Sequence, residues 1–185
     1  MRDLWVIGDV HGALDKLRAM LLRAGLTDFG RAVVTEAAQR GMVIDLAHAS
    51  PRMVRDVLAL PGTRPIISHT GVHGVCNTPR NLPDELLRAV ASSGGIIGIG
   101  FWPDVTCNDS PAGIAASIAA AIALVGEDHV ALGSDWDGSV GVPFDAAGLP
   151  ALTQALMDEG LTEAQIAKVM GGNMVRYLRE VLPRA

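Results

Sequence analysis

Five short runs, at 4–7, 42–46, 65–68, 96–101 and 129–132, are apolar along their length instead of alternating with polar residues. A strand of that kind must be covered on both faces, which is the condition of a strand inside a parallel sheet. Stretches with helical spacing separate the runs, at 13–24, 31–40, 51–60, 83–92 and 111–125, with two more at 149–159 and 163–182. Local punctuation agrees with these bounds. Ser50-Pro51 and Ser110-Pro111 each set a capping hydroxyl before a proline suited to the first helical turn. Thr162 and Gln165 have the spacing of a capping box. The strand–helix–strand rhythm implies right-handed crossovers and an α/β fold.

Length limits that fold further. A closed eight-stranded α/β barrel usually takes about 250 residues, and this chain has 185. The expectation is therefore a parallel sheet of about five strands with flanking helices, a partial (β/α) barrel. Its open edges predict a homo-oligomer, most simply a two-fold dimer. Hydrophobic residues at 49% against 19% charged exclude a disordered chain. The net charge of −5 and the lack of any basic block leave nucleic acid without an electrostatic footprint. The longest apolar stretch, 113–125, is shorter than the roughly 18 to 20 residues of a membrane span. The apolar run at the N-terminus meets Asp9 and His11 before a signal-peptide core could form, so a cytoplasmic protein without a membrane partner is expected. Cys76 and Cys107 form no C-x-x-C pair, which points to a reducing compartment or at most one bridge.

In α/β proteins, ligands gather where strands end and the following loops begin. The unusual polar residues fall there. Asp45-Leu-Ala-His48 closes the second run, and Ser68-His69 the third, with His73 and Arg80 in the loop beyond. Gly133-Ser-Asp135-Trp-Asp137-Gly138 closes the fifth. Two histidines one βα unit apart can converge on one metal or one substrate, and a nearby carboxylate can add a ligand or accept a proton. Capping of strand ends is the alternative for His48 and His69. For Arg80 it is a surface ion pair with Asp84, and for Asp135 a turn before Gly138.

Five motifs carry a resemblance: Gly41-Met-Val-Ile-Asp-Leu-Ala-His48, Pro65-Ile-Ile-Ser-His69, Arg80-Asn-Leu-Pro-Asp84, Gly133-Ser-Asp-Trp-Asp-Gly138 and Gly171-Gly-Asn173. In order and spacing, residues 25–182 resemble the C-terminal part of the renal (membrane) dipeptidase family, zinc peptidases built on an α/β barrel. The resemblance implies a dipeptide substrate with a free carboxylate and zinc, or manganese, as the metal. It implies that His48 and His69 are two metal ligands, that Arg80 holds the substrate carboxylate and that Asp135 is the acid at the reacting centre. The family's His-x-Asp pair, bridging glutamate and further substrate histidine belong to an N-terminal half without matching segments here.

The opening residues, Asp3-Leu-Trp-Val-Ile-Gly8-Asp9-Val-His11-Gly12, resemble instead the start of calcineurin-like metallophosphoesterases, in which this Asp and His ligate a metal. The expected organisation is chimera-like, a phosphoesterase-like βα unit at 1–28 and a dipeptidase-like half-barrel at 29–185, forming one structural domain. Strand 4–7 is expected to pair in parallel with 42–46 and bring Asp9 and His11 toward His48. Three functions follow: a dipeptidase, a phosphoesterase working through Asp9 and His11, or a folded α/β module without catalysis.

Overall fold

A computed structural model describes residues 24–183. The expected strand 4–7, the helix 13–24 save its last residue, Asp9 and His11 lie outside the described residues. The chain then alternates helices and parallel strands: α1 (Asp28–Gln39), α2 (Pro51–Leu58), β1 (Ile67–Thr70), α3 (Asp84–Ser92), β2 (Ile97–Ile99), α4 (Pro103–Thr106), α5 (Pro111–Val125), β3 (Val130–Leu132), α6 (Leu149–Asp158), α7 (Glu163–Ala167) and α8 (Asn173–Val181). The strands form an open sheet in chain order, β1–β2–β3, every pair parallel.

The strands are buried on both sides because consecutive residues feed two different cores. Ile67, Ile97 and Val130 join the larger cluster with Leu87, Phe101, Ile114, Ile118 and Leu152. Their neighbours Ile66, Ile96 and Ala131 face the other way, onto Tyr177 of α8. This is why the runs read as apolar along their length. The Tyr177 hydroxyl donates to Arg64 O at 2.5 Å and so ties α8 to the entry of β1.

The helices start where the caps indicate. Ser50 Oγ accepts from Met53 N at 3.0 Å and Ser110 Oγ from Gly113 N at 3.2 Å. Thr162 and Gln165 form the full capping box.

The structure departs from these expectations in three places. The run 42–46 is not a full strand: it keeps one parallel bridge, Asp45 to Ile66, with Ile66 N donating to Ile44 O and Leu46 N to Ile66 O. Its ladder stops because the Asp45 carboxylate turns the chain by accepting from Ala47 N at 2.9 Å. Among the described residues the sheet thus has three strands with this bridge beside it; the first of the five expected strands lies outside them. The helix expected at 163–182 is broken between α7 and α8 by a π-helical turn, Lys168–Gly172, where Gly171 takes φ 147°. No side chain is comfortable there, so the glycine pair of the Gly171-Gly-Asn173 motif marks the break. Finally, α4 is an unforeseen helical turn, and Cys107 beyond it is disulfide-bonded to Cys76, with Cα atoms 5.4 Å apart. Of the two expectations for the cysteines, the single bridge is the one realised.

Candidate active site

The C-terminal rim of the sheet is irregular where it matters. Between Ile67 and Thr70 of β1 the register to β2 slips, so that Ile67 faces Ile97 while Thr70 faces Ile99. One extra residue is accommodated in β1, and such a bulge re-aims the side chains it carries. Here it carries Ser68 and His69. The bulge needs room on the neighbouring strands. A Cβ on Gly98 would stand 2.0 Å from Ser68 O, and one on Gly133 would stand 2.4 Å from the same atom. These glycines are therefore part of what places His69.

His48 reaches the same point from the other side. The turn at Asp45 leads into a left-handed residue at His48, φ 62°. The Asp45 Oδ1 atom also accepts from Ser68 N at 3.0 Å, fastening the two histidine-bearing segments to each other. As a result His48 Nε2 and His69 Nε2 lie 3.0 Å apart. His69 is oriented by Ser68, whose Oγ is 2.8 Å from Nδ1. When Nδ1 carries the proton and donates to Ser68, Nε2 presents its lone pair to the space shared with His48.

The third group comes from the loop after β3. Asp135, also left-handed at φ 56°, places Oδ2 3.9 Å from His69 Nε2. Its backbone carbonyl accepts from Gly138 N, so it is a turn residue as well as a member of the cluster. Trp136 Nε1 donates to Phe144 O at 2.8 Å, and both rings pack on Phe101, which fastens the loop to the core. Non-glycine residues with positive φ cost of order 1 to 3 kcal/mol each, and such strain collects at functional sites.

Arg80 is bound into the same group. Its Nη2 donates to His69 O at 3.0 Å, and its guanidinium stands 5.4 Å from the centre of the Trp102 ring. The Asp84 carboxylate accepts from Gly74 N. Beneath Arg80, buried Asn81 accepts from Gly71 N at 2.8 Å and donates to Cys76 O and Val105 O, both at 2.9 Å. With the Cys76–Cys107 bridge it clamps the loop after β1 to the loop after β2. His129 is remote in role: its Nδ1 is 2.8 Å from Gly95 O, two residues before β2.

The donor chemistry suits a zinc-type ion in part. With bonds of 2.0 to 2.1 Å, tetrahedral zinc holds two ligand nitrogens about 3.3 Å apart. His48 and His69 meet that requirement with a shift of a few tenths of an ångström. Among the described residues no set of three or more His, Cys, Asp and Glu side chains is arranged to hold a metal.

Sequence reasoning placed His48, His69 and Asp135 at strand ends and Arg80 in the loop after the third, and the structure gathers all four. It gave no role to Trp102 or Asn81. The signals available were an aromatic residue directly after an apolar strand and a polar residue beside Arg80 in a loop of mixed character.

Parallel strands in chain order with polar side chains gathered at their C-terminal rim are the arrangement found in α/β barrels, whose sites lie at that face. The sequence profile described as membrane dipeptidase (peptidase family M19) matches residues 11–183, and the chain belongs to that family. It is 36% identical over 165 residues to the dipeptidase aclJ of Aspergillus oryzae, covering 85% of this chain and 39% of the relative. With human dipeptidase 3 it shares 31% identity over 164 residues, covering 85% of this chain and 34% of the relative. Among solved structures, a metallopeptidase from Rhodobacter sphaeroides, liganded with a phosphinate mimic of the dipeptide L-Ala-D-Ala, superposes with a TM-score of 0.79. That pair is 30% identical, over 85% of this chain and 47% of the other. The chain thus spans well under half the length of the curated relatives it matches. The family match begins at residue 11, not near residue 25. Residues 11–28 of the phosphoesterase-like opening therefore fall inside it, and no comparison supports a second family or a junction there.

Proposed function

We propose that this chain is a metal-dependent dipeptidase module acting on the amide bond of dipeptides with a free carboxylate. The observation that carries the reading is the meeting of His48 Nε2 and His69 Nε2 at 3.0 Å, with Asp135 Oδ2 3.9 Å from the latter. His48 and His69 are the nitrogen ligands, and Asp9 and His11, outside the described residues, are the candidates to complete the set. Zinc, or manganese, bound there supplies Lewis-acid polarisation of the amide carbonyl and a lowered pKa for water. Arg80 offers in-plane N–H groups as a bidentate fork for the substrate carboxylate. Asp135 takes the proton released as water adds to the carbonyl and returns it to the leaving amine, a role supported by its Oδ2 lying 3.9 Å from His69 Nε2.

Hydrolysis of a dipeptide and of nitrophenyl phosphate, each with and without added zinc or manganese, tests this reading. Metal-dependent dipeptide hydrolysis that is lost in His69→Ala supports it. Turnover of the phosphate ester would transfer the activity to Asp9 and His11. Turnover of neither substrate would leave a module without catalysis.

A further inference from the structure

Trp102 touches two members of the site, yet nothing in the reaction requires an indole. Its ring centre is 5.4 Å from the Arg80 guanidinium carbon and 5.9 Å from the centre of the His69 ring. The residue is 4% exposed. Its position is set from behind and from below, independently of any substrate. Behind it, Gly100 leaves the space: a Cβ there would stand 2.3 Å from Cζ3 and 2.8 Å from Cη2 of the indole. Below it, the Trp102 carbonyl accepts from Val105 N and from Thr106 Oγ1, both at 3.1 Å. The loop is further held by the Thr78 Oγ1 to Asp104 O bond and by the Cys76–Cys107 bridge.

Arg80, by contrast, sits on a loop at the end of a long flexible stem. A ring over the face of a guanidinium attracts it through cation–π interaction and competes with none of its in-plane N–H groups. Stacking therefore fixes the plane of the fork and leaves its edges for hydrogen bonds. The Nη2 bond to His69 O fixes the remaining rotation within that plane.

We propose that Trp102 is a positioning residue that orients Arg80 for a substrate carboxylate, and so sets the selectivity for ligands with a free C-terminal acid. The inference rests on the role of Arg80 proposed above. The test is calorimetric titration of the zinc-supplemented protein with a phosphinate dipeptide mimic, as the free acid and as the C-terminal amide. The ratio of the two affinities is the readout, because general loosening of the fold lowers both alike. The wild-type protein is expected to favour the acid. Trp102→Leu should reduce that preference on the order of 5- to 30-fold, the range of a partly desolvated cation–π contact. Trp102→Phe should fall between, and Gly100→Ala should reproduce the loss by displacing the ring. A folded Trp102→Leu protein with the wild-type ratio would overturn the role of Trp102 while leaving Arg80 in place. Should Trp102→Leu fail to fold, an unchanged ratio in Trp102→Phe overturns it equally. A wild-type protein that binds acid and amide alike would overturn the assignment of Arg80 first, and this inference with it.

Discussion

Replacing Asn81 by alanine should be among the most damaging single changes available in this chain, although the residue takes no direct part in the proposed chemistry. Asn81 is 4% exposed, and its amide makes three hydrogen bonds, all to backbone groups of buried residues. Alanine removes all three at once. The N–H of Gly71 and the carbonyls of Cys76 and Val105 then lose their partner where water has poor access. A buried polar group left unsatisfied costs about 1 to 3 kcal/mol, and some relaxation is to be expected, so the loss should total about 3 to 5 kcal/mol. For a domain of this size that corresponds to a fall in Tm of about 6 to 20 °C.

Urea unfolding followed by circular dichroism measures the loss directly. Thr78→Ala is the control: its hydroxyl spans the same two loops with a single exposed bond to Asp104 O, and its removal should cost less than about 1 kcal/mol. Asn81→Asp should be worse than alanine near neutral pH. It keeps the acceptor for Gly71 N–H but sets a buried carboxylate against two carbonyl oxygens. An Asn81→Ala protein within about 1 kcal/mol of wild type at an unchanged m-value would refute the reasoning. So would a Thr78→Ala protein that loses as much.

Two further outcomes follow from the same contacts. The Cys76–Cys107 bridge spans 31 residues, so reduction by a dithiol, or Cys107→Ser, should lower stability by about 3 to 4 kcal/mol through the entropy of the unfolded chain. Coincident urea curves for the oxidised and reduced protein would contradict this. Hydrogen bonds from Lys168 hold the Asp128 and Glu127 carboxyls below their ordinary values of 3.8 and 4.5. The stability they lend is therefore present above those values and lost as pH falls through the lowered ones. The Tm gap between wild type and Lys168→Met should accordingly shrink between pH ~6 and pH ~3, and a gap that stays constant would show that the ion pairs contribute nothing.

The sequence by itself determined what depends on neighbours a few residues apart. Apolar runs without alternation made Ile66–Ile67, Ile96–Ile97 and Val130–Ala131 two-sided strand pairs, because each residue of a pair has a core to enter. Ser50, Ser110 and Thr162 started their helices where a hydroxyl can satisfy free N–H groups. The same local logic placed His48, His69 and Asp135 after strands, where loops gather. Only the tertiary structure decided how those residues meet. The bulge at Ser68–His69 exists because Gly98 of β2 and Gly133, just beyond β3, leave room for Ser68 O, and no pattern within β1 announces it. The run 42–46 stops pairing after one bridge because the Asp45 carboxylate bonds Ala47 N and Ser68 N, and the second of these comes from another element. Cys76 found Cys107, and Arg80 found Trp102, because Asn81 clamps two loops that follow different strands. Periodicity records which face of an element is buried. Sub-ångström placement of an imidazole or a guanidinium depends on register between strands distant in sequence, and that is fixed only when the whole sheet packs.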